Sequence, residues 1–402
     1  MENAANPLAI LGGAPSFRIP LHVGEPNIGD RDVLLGRIHG MLERRLLTNH
    51  GPLVEEFEAR IARFVGVKHC VSMCNATVAL EVAIRALQLS GEVIVPSYTF
   101  IATAHALQWQ EITPVFADIN PHTLNIDPAR IEPLITSRTS GILGVHLWGR
   151  ACDTESIDAI ASAHGLKVMY DAAHAFGCSH QGKMIGGFGL CEVFSFHATK
   201  FMNSFEGGAV VTNDNDLAEK MRLMRNFGFS GYDNVSCLGV NAKMIEVCAA
   251  MGLTSLDAIG EIIAINRRNY IAYRMGLQDL PGITVITYGE RERYNYQYIV
   301  VEVDSQHSPL DRDEIVAVLH AENVLVRRYF WPGCHRMEPY RSLQPKAYLD
   351  LFETERMASK ILLLPTGQAI TTEHVEVICN IIQSAFMQAN HVRDTLSVKQ
   401  LP

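Results

Sequence analysis

A lysine and an aspartate follow two separate apolar runs near the middle of the chain. Asp171 ends a run that begins at residue 167, and Lys200 lies just after the run 192–196. In open α/β sheets, ligands bind beyond the carboxyl ends of the strands, so such positions can face one site. Pyridoxal 5'-phosphate (PLP) needs a lysine for its Schiff base and an acid that keeps its pyridine nitrogen protonated. The two residues therefore predict a PLP site in which Lys200 is catalytic.

Other residues that follow apolar runs could complete this site. Asn75-Ala76-Thr77 comes after the run 69–73 and opens a helical pattern, and a helix N-terminus is a usual place for a phosphate. Ser195 adds a hydroxyl, and Phe100 could cover one face of the cofactor ring. His174 stands among small alanines, so a ligand can pack close to the backbone there. We predict that these residues bind the cofactor.

Each residue also has a simpler interpretation when it is taken alone. A lysine in a polar loop is usually solvated, and Asp171 or Thr77 could be an ordinary helix cap. Phe100 could belong to the core, and His174 could be a structural histidine. The order of these residues on successive strand ends is what favours a common site.

The elements that would position these residues alternate along the chain. Between about residues 69 and 212, short apolar runs rich in β-branched residues are separated by helical patterns. Continuous apolar runs indicate strands that are buried on both faces, as in parallel sheets covered by helices. We expect an α/β fold with seven mainly parallel strands, at residues 69–73, 92–96, 114–117, 141–146, 167–170, 192–196 and 209–212. The expected helices between them cover residues 77–89, 101–109, 128–136, 154–164 and 216–225.

The flanking regions have other patterns. Two helical patterns, 31–44 and 52–64, precede the alternation, and a long helical region, 244–275, follows it. The remainder mixes strands and helices, at 296–303 and 312–322 for example, and no clear pattern follows about residue 386. We predict a large PLP-binding domain with N-terminal helices over residues 1–255 and a smaller α+β domain over residues 256–402.

Composition and charge exclude several classes of protein. Lys and Arg number 34 against 43 Asp and Glu, and a net charge of −9 without a basic run argues against nucleic acids and anionic membranes as partners. No apolar run in the 402 residues is long enough to span a bilayer. The nine cysteines form no C-x-x-C or Cys/His cluster, so no metal site is expected. The start carries Glu2 and no basic region, so we expect a cytoplasmic protein rather than a secreted one.

Seven blocks of sequence between residues 47 and 366 resemble, in order, the DegT/DnrJ-type sugar aminotransferases. The blocks are TNHGPLVEEFEARIARFVGV, GEVIVPSYTFIATAHAL, PVFADINPHTLNIDPARIEPLIT, GVHLWGR, YDAAHAFGCSHQGKMIGGFG, FSFHATKFMNSFEGGAVVTND and MRNFGF. The resemblance implies the fold-type I architecture of aspartate aminotransferase. It also implies that Lys200 forms the Schiff base, that Asp171 pairs with the pyridine nitrogen and that His174 lies beside the ring, where the family has Gln or His.

The resemblance assigns further roles and implies an assembly. Ser195 and Thr77 match phosphate binders, and Phe100 matches the aromatic residue stacked on the ring. Asn241 matches an asparagine that reaches the cofactor phosphate of the neighbouring subunit, which implies a homodimer with shared active sites. One departure is Asn75-Ala76-Thr77 where the family commonly has Ser-Gly-Thr. Because a Cβ disfavours positive φ, the phosphate loop is expected to differ slightly there.

Within the family, the chain looks most like the 4-aminotransferases of desosamine-type deoxysugar pathways, on segments such as CNATVALE and SFHATKF. This implies L-glutamate as amino donor and the sugar nucleotide dTDP-4-dehydro-6-deoxy-D-glucose as acceptor, with dTDP-4-amino-4,6-dideoxy-D-glucose as product. The alternatives are a 3-keto-sugar substrate and a non-catalytic regulator that binds PLP or a sugar nucleotide. A sugar dehydratase is disfavoured because those family members replace the lysine. A nicotinamide-binding protein is disfavoured because the first strand–helix junction lacks G-x-G-x-x-G.

Two groups of residues are candidates for the sugar-nucleotide pocket. One follows a core strand and comprises His146, Trp148 and Arg150. The other is a basic and aromatic patch in the second predicted domain, which could bind a pyrophosphate or could be a surface cluster. Its members are Arg327, Arg328, Tyr329, His335 and Arg336.

Overall fold

The computed structural model describes residues 7–399, so the start that carries Glu2 lies outside the described residues. The helices are α1 (Arg31–Arg44), α2 (Pro52–Val65), α3 (Ala76–Ala86), α4 (Ile101–Gln108), α5 (Thr154–His164), α6 (Asn215–Met224), α7 (Glu246–Asp257), α8 (Ile259–Leu277), α9 (Arg312–Ala321), α10 (Tyr340–Leu343), α11 (Phe352–Ala358), α12 (Thr372–Met387) and α13 (Ala389–Lys399). The strands are β1 (Leu21–His22), β2 (His69–Met73), β3 (Glu92–Pro96), β4 (Thr113–Ala117), β5 (Thr139–Val145), β6 (Lys167–Asp171), β7 (Ser179–His180), β8 (Lys183–Met184), β9 (Cys191–Ser195), β10 (Gly208–Thr212), β11 (Ile283–Val285), β12 (Ile299–Val303), β13 (Val324–Leu325) and β14 (Ile361–Leu364).

Seven strands form the central sheet in the order β2-β10-β9-β6-β5-β3-β4. β10 is antiparallel to both of its neighbours, and the other neighbouring pairs are parallel. The strands β3, β9 and β10 are buried along their whole length, because helices cover both faces of the sheet. The predicted α/β fold with a mainly parallel, seven-stranded sheet is confirmed.

Two helical layers enclose the central sheet. On one face, α3, α4 and α6 pack in a core that includes Val210. On the other face, α1, α2 and α7 pack in a core that includes Ala209 and Val211, the sequence neighbours of Val210. This alternation follows the two-residue period of a strand, and an unbroken apolar run satisfies both cores at once.

The C-terminal part of the chain has its own sheet and core. β11, β12 and β14 form an antiparallel sheet that packs with α8, α9 and α12 around Ile299 and Leu364. The N-terminal segment joins this core, because β1 pairs in parallel with β13 and Leu8 and Ile10 are buried there. The predicted domain boundary, between residues 255 and 256, falls within α7 and stays a prediction.

Three helical predictions need correction. Residues 128–136 form two 3-10 turns instead of an α-helix, because Pro133 lacks the N–H that the helix would need. Residues 244–275 form two helices that meet at Ala258. The tail after residue 386 is helical: α13 buries Val392 in the C-terminal core, but its few apolar residues gave no clear periodicity.

Within residues 7–399, no single helix is long and apolar enough to cross a membrane. Helices α7 and α8 meet the criteria of length and hydropathy only as a pair, and they are bent by 61°.

Candidate active site

A cavity of about 620 Å³ opens at the carboxyl ends of β5, β6 and β9, where the central sheet faces the C-terminal part of the chain. β6 and β9 are adjacent and parallel, so their carboxyl ends meet at one edge of the sheet. Eight of the nine predicted cofactor-binding residues line this cavity: Asn75, Ala76, Thr77, Phe100, Asp171, His174, Ser195 and Lys200. The structure therefore brings together residues that are up to 125 positions apart (from 75 to 200) in the sequence.

Lys200 enters the cavity from the turn that follows β9. Its backbone N–H donates to the carbonyl of His197 at 2.8 Å, which fixes the turn. Its side-chain Nζ donates to the hydroxyl of Tyr298 at 3.2 Å. Burial lowers the pKa of the Lys200 amine to about 8, although the neighbouring Asp171 carboxylate raises it in part. A buried amine of this kind is a nucleophile and a base near neutral pH.

Asp171 is buried at the end of β6 and accepts two hydrogen bonds. Thr103 Oγ1 donates to Oδ2 at 2.8 Å, and the Ala173 N–H donates to Oδ1 at 3.0 Å. Burial raises the pKa of Asp171, while these two bonds and the charge on Lys200 lower it in part. A cation placed beside the carboxylate would favour its ionised form further.

The N-terminus of α3 forms part of the cavity wall. The Asn75 side chain caps the helix by accepting from the Val78 N–H at 2.9 Å, so the Ala76 and Thr77 N–H groups lie in the first turn, where a helix has no internal acceptors. β10 begins directly beside this turn, and a Cβ on Gly208 would come within 2.5 Å of the Ala76 nitrogen. Ala76 has negative φ, so its Cβ introduces no backbone strain into the loop.

Aromatic and small side chains surround the middle of the cavity. His174 is buried, and its ring lies parallel to that of Phe330, with centroids 5.8 Å apart. Burial lowers the pKa of His174 well below its usual range, and Lys200 lowers it further, so the imidazole is neutral. Phe100 is 54% exposed, which excludes a role as a core residue. Ser195 is the last residue of β9, and its hydroxyl oxygen lies 3.5 Å from the backbone nitrogen of His197.

The donor set of the cavity fits PLP. It combines an amine that can form a covalent bond to an aldehyde, a buried carboxylate and the N–H groups of a helix terminus. Within residues 7–399, the Asp171 carboxylate forms no ion pair, so a protonated ring nitrogen would have a counter-ion there. The amine suits the aldehyde of PLP, the carboxylate suits its ring nitrogen, and the N–H groups suit its phosphate.

Sequence reasoning missed several residues of the cavity. Tyr298 precedes β12 and stood in no quoted block, whereas Thr103, in the first turn of α4, stood in the block GEVIVPSYTFIATAHAL but was given no role. Tyr329 and Arg327, which were part of the predicted basic and aromatic patch, line the cavity with Phe330. Of the five residues of that patch, these two line the cavity, and the binding of a pyrophosphate stays a prediction.

The other candidates for the sugar-nucleotide pocket lie elsewhere. His146 is fully buried, and its Nε2 lies 3.3 Å from Oε2 of Glu192. Trp148 is also fully buried. The guanidinium of Arg150 donates to the His122 carbonyl. None of these three candidates lines the cavity.

Three members of the basic patch also point away from the cavity. Arg328 pairs with Asp313, and both His335 and Arg336 pair with Glu355. These ion pairs make them part of the structure around the cavity and not part of its lining.

Asn241 is the one predicted cofactor-binding residue that does not line the cavity. It is exposed and forms an isolated bridge with Asn226. Exposed apolar side chains lie along the same stretch of chain, among them Phe229, Tyr232 and Leu238. The role of Asn241 in the cofactor site of a second subunit stays a prediction.

The chain is similar to sugar aminotransferases along most of its length. The sequence profile of the DegT/DnrJ/EryC1/StrS aminotransferase family matches residues 31–383. The chain is 37% identical over 364 residues to the dTDP-4-amino-4,6-dideoxy-D-glucose transaminase of Shigella dysenteriae, covering 90% of this chain and 98% of that protein. It is 35% identical over 363 residues to the Escherichia coli protein of the same name, covering 90% and 97%.

A solved structure agrees with these sequence relatives. DesI, crystallised in the presence of its TDP-sugar product, matches with a TM-score of 0.92 and 48% sequence identity. The match covers 98% of this chain and 99% of DesI. With the geometry of the cavity, these similarities show that the chain belongs to the DegT/DnrJ/EryC1/StrS family of PLP-dependent sugar-nucleotide aminotransferases.

Proposed function

We propose that this chain transfers the amino group of L-glutamate to C4 of dTDP-4-dehydro-6-deoxy-D-glucose. The products are dTDP-4-amino-4,6-dideoxy-D-glucose and 2-oxoglutarate. The observation that carries the reaction type is the shared cavity of the Lys200 amine and the Asp171 carboxylate, at the ends of adjacent strands. The substrate is supported by the similarity to DesI, which was crystallised in the presence of its TDP-sugar product, and to the two transaminases.

The residues of the cavity divide among the parts of the cofactor. Lys200 would hold PLP covalently, Asp171 would pair with the ring nitrogen, and His174 and Phe100 would contact the ring. The phosphate would bind at the N-terminus of α3 and to Ser195, through the residues Asn75, Ala76, Thr77 and Ser195. When bound, PLP supplies an electron sink that lets the carbon bearing the amino group lose a proton.

The proton is moved by the chain itself. The Lys200 amine has a pKa of about 8 and can therefore accept a proton at Nζ and return it at a pH near neutrality. Thr103 and Ala173 hold the Asp171 carboxylate in one orientation. Burial lowers the pKa of the Lys200 amine, and the neutral imidazole of His174 adds no second positive charge beside it.

We also propose a cytoplasmic homodimer in which each copy completes the site of the other. Asn241 would reach the cofactor phosphate in the second copy. Its exposure outside its own cavity supports this role, as do the exposed apolar side chains nearby, Phe229, Tyr232 and Leu238.

The test begins with absorbance spectra of the purified protein with PLP, before and after L-glutamate. The wild-type protein should show the visible band of the lysine-linked cofactor and lose it with glutamate, because the cofactor accepts the amino group. Lys200→Ala should show no such change. The aminated protein is then mixed with dTDP-4-dehydro-6-deoxy-D-glucose, and the position of the new amine is read by NMR spectroscopy.

Other outcomes identify the alternatives. An unchanged 4-keto sugar together with amination of a 3-keto isomer would make the chain a 3-aminotransferase. If glutamate leaves the visible band unchanged, the donor or the reaction type is wrong. If PLP does not bind to the wild-type protein, a non-catalytic binding role replaces the enzyme.

A further inference from the structure

Two consecutive arginines of the C-terminal part have opposite environments. Arg327 lines the active-site cavity, whereas Arg328 pairs with Asp313 outside it. Successive side chains of an extended backbone point to opposite sides, so only one of the two can face the cavity.

The backbone of Arg327 is held in place. Its N–H donates to the Leu363 carbonyl at 3.2 Å, and the Leu363 N–H donates to its carbonyl at 2.7 Å. These bonds attach the residue to β14, in the C-terminal sheet. The start of its side chain is therefore positioned by two backbone hydrogen bonds to a strand.

The guanidinium itself has no anionic partner in the described part of the chain. Arg328 and Arg336, from the same basic patch, each form an ion pair with a carboxylate, and Arg327 forms none with residues 7–399. An arginine that lines a cavity without a carboxylate partner can bind an anion from solution, and its planar fork suits carboxylates and phosphates.

The other charges of the cavity already have functions or partners. Lys200 and Asp171 serve the cofactor in the proposed function, and His197 lies 3.3 Å from Glu206. Among the described residues that line the cavity, Arg327 is the one arginine. Both proposed substrates are anions, since L-glutamate carries carboxylates and the sugar nucleotide carries a diphosphate. They occupy the cavity in turn, so one cation can serve both.

We propose that Arg327 is the substrate-anion anchor of this cavity, binding an oxyanion of the amino donor or of the sugar nucleotide through its guanidinium. The inference rests on the proposed function for the identity of the substrates. It adds a specificity-determining residue from the C-terminal part to a cofactor site built by the central sheet.

The experiment compares Arg327→Gln and Arg327→Lys with Arg328→Gln, all loaded with PLP. Calorimetry measures the Kd of 2-oxoglutarate, a dicarboxylate, and of dTDP, a diphosphate. Rapid-mixing absorbance measures the glutamate half-reaction. Arg327→Gln should weaken at least one of the two ligands by about 10- to 100-fold, the range expected when a charge-assisted hydrogen bond is lost. Arg327→Lys should recover part of this loss, and Arg328→Gln should stay within about twofold of wild type.

The pattern of loss identifies the anion. Weaker binding of 2-oxoglutarate, with a higher KM for glutamate, assigns the carboxylate; weaker binding of dTDP assigns the diphosphate; loss of both assigns a shared anchor. Equal binding by wild type and Arg327→Gln, with normal melting temperature and cofactor spectrum, overturns the inference. Failure of the wild type to bind either ligand overturns it too. Absence of turnover with intact, Arg327-dependent binding would refute the proposed function and leave the anchor in place.

Discussion

In the active-site cavity, the Nζ of Lys200 donates a hydrogen bond to the hydroxyl of Tyr298 at 3.2 Å. The lysine follows a strand of the central sheet, and the tyrosine precedes β12 of the C-terminal sheet. The tyrosine ring is itself packed edge-on against His174, with centroids 4.8 Å apart. The amine is therefore held between the two sheets by a partner that cannot easily move.

The rate at which the cofactor-free protein captures PLP should depend on pH in an unusual range. Only the neutral amine attacks an aldehyde, and burial lowers the pKa of Lys200 to about 8. The rate should therefore rise from pH 7 to pH 9 and then level off, as measured by the growth of the visible band. A rate that continues to rise above pH 10 would mean that the amine has the pKa of an ordinary lysine.

Tyr298→Phe should move this profile to lower pH. The phenol oxygen accepts from the amine and stabilises its protonated form, so its removal lowers the pKa of Lys200 further. The ring remains, and the cost to the free energy of unfolding should be about 1 kcal/mol or less. Tyr340→Phe is the matched control, because that tyrosine is also buried, its hydroxyl lies 2.8 Å from His105 Nδ1, and it does not line the cavity. Identical midpoints for the two variants would contradict the prediction.

Thr103→Val should weaken PLP binding. The substitution removes the Oγ1–H that donates to Asp171 and leaves the buried carboxylate with one of its two donors. Loss of a hydrogen bond to a charged group costs about 1.5–3 kcal/mol, which corresponds to roughly a 10- to 100-fold higher Kd if the loss falls on the bound state. Thr103→Ser keeps the hydroxyl and should bind PLP nearly as wild type. Spectroscopic titration of the cofactor-free protein decides between them.

Asn75→Asp should affect stability and cofactor affinity in opposite directions. An aspartate can also accept from the Val78 N–H and is favourable at a helix N-terminus, so the melting temperature should be maintained or raised. The added charge lies where the cofactor phosphate is proposed to bind and should weaken PLP by repulsion. Asn75→Ala removes the cap without adding a charge. It should therefore lower the free energy of unfolding by about 1 kcal/mol and raise the Kd of PLP less than Asn75→Asp does. If both variants change PLP affinity equally, the phosphate does not bind at this helix.

Mixed dimers test the shared site. Lys200→Ala and Asn241→Ala should each reduce activity in homodimers. If Asn241 acts in the partner's cavity, a heterodimer of the two variants contains one site with both defects and one site with neither. Co-expression should therefore restore activity, and the amount should follow the fraction of heterodimer separated by two affinity tags. No recovery would place Asn241 outside the neighbouring site.

The sequence located Lys200 and Asp171 because an apolar strand and its end are local features. Tyr298 and Thr103 meet them only through the packing of distant elements, 98 and 68 positions away along the chain, and no local feature of either residue indicates these contacts. His146 follows a strand as Asp171 does, yet it turns inward to a buried Glu192, which no local spacing indicates. A sequence pattern therefore predicts strand ends more reliably than the direction of the side chains beyond them.

Two neighbouring arginines also show that a sequence pattern does not predict the direction of a side chain. Arg327 and Arg328 are equivalent in composition and differ only in which side of an extended backbone they occupy. The bridge to Leu363 sets that choice, and it depends on pairing with β14, more than 30 positions away. The tail helix was missed for a related reason, because Val392 is buried by contacts with the C-terminal core and not by a periodic face of its own.

The path of the N-terminal segment has a mechanical consequence. From residue 8 onward, the N-terminal segment lies in the C-terminal core, where it includes β1; the chain then crosses to the central-sheet cores at α1 and returns through α8. The two halves are thus tied by two covalent connections instead of one. Twisting one half against the other would stretch one of these connections. Lys200 and Tyr298 belong to different halves, so the hydrogen bond between them forms only when both connections hold the halves together.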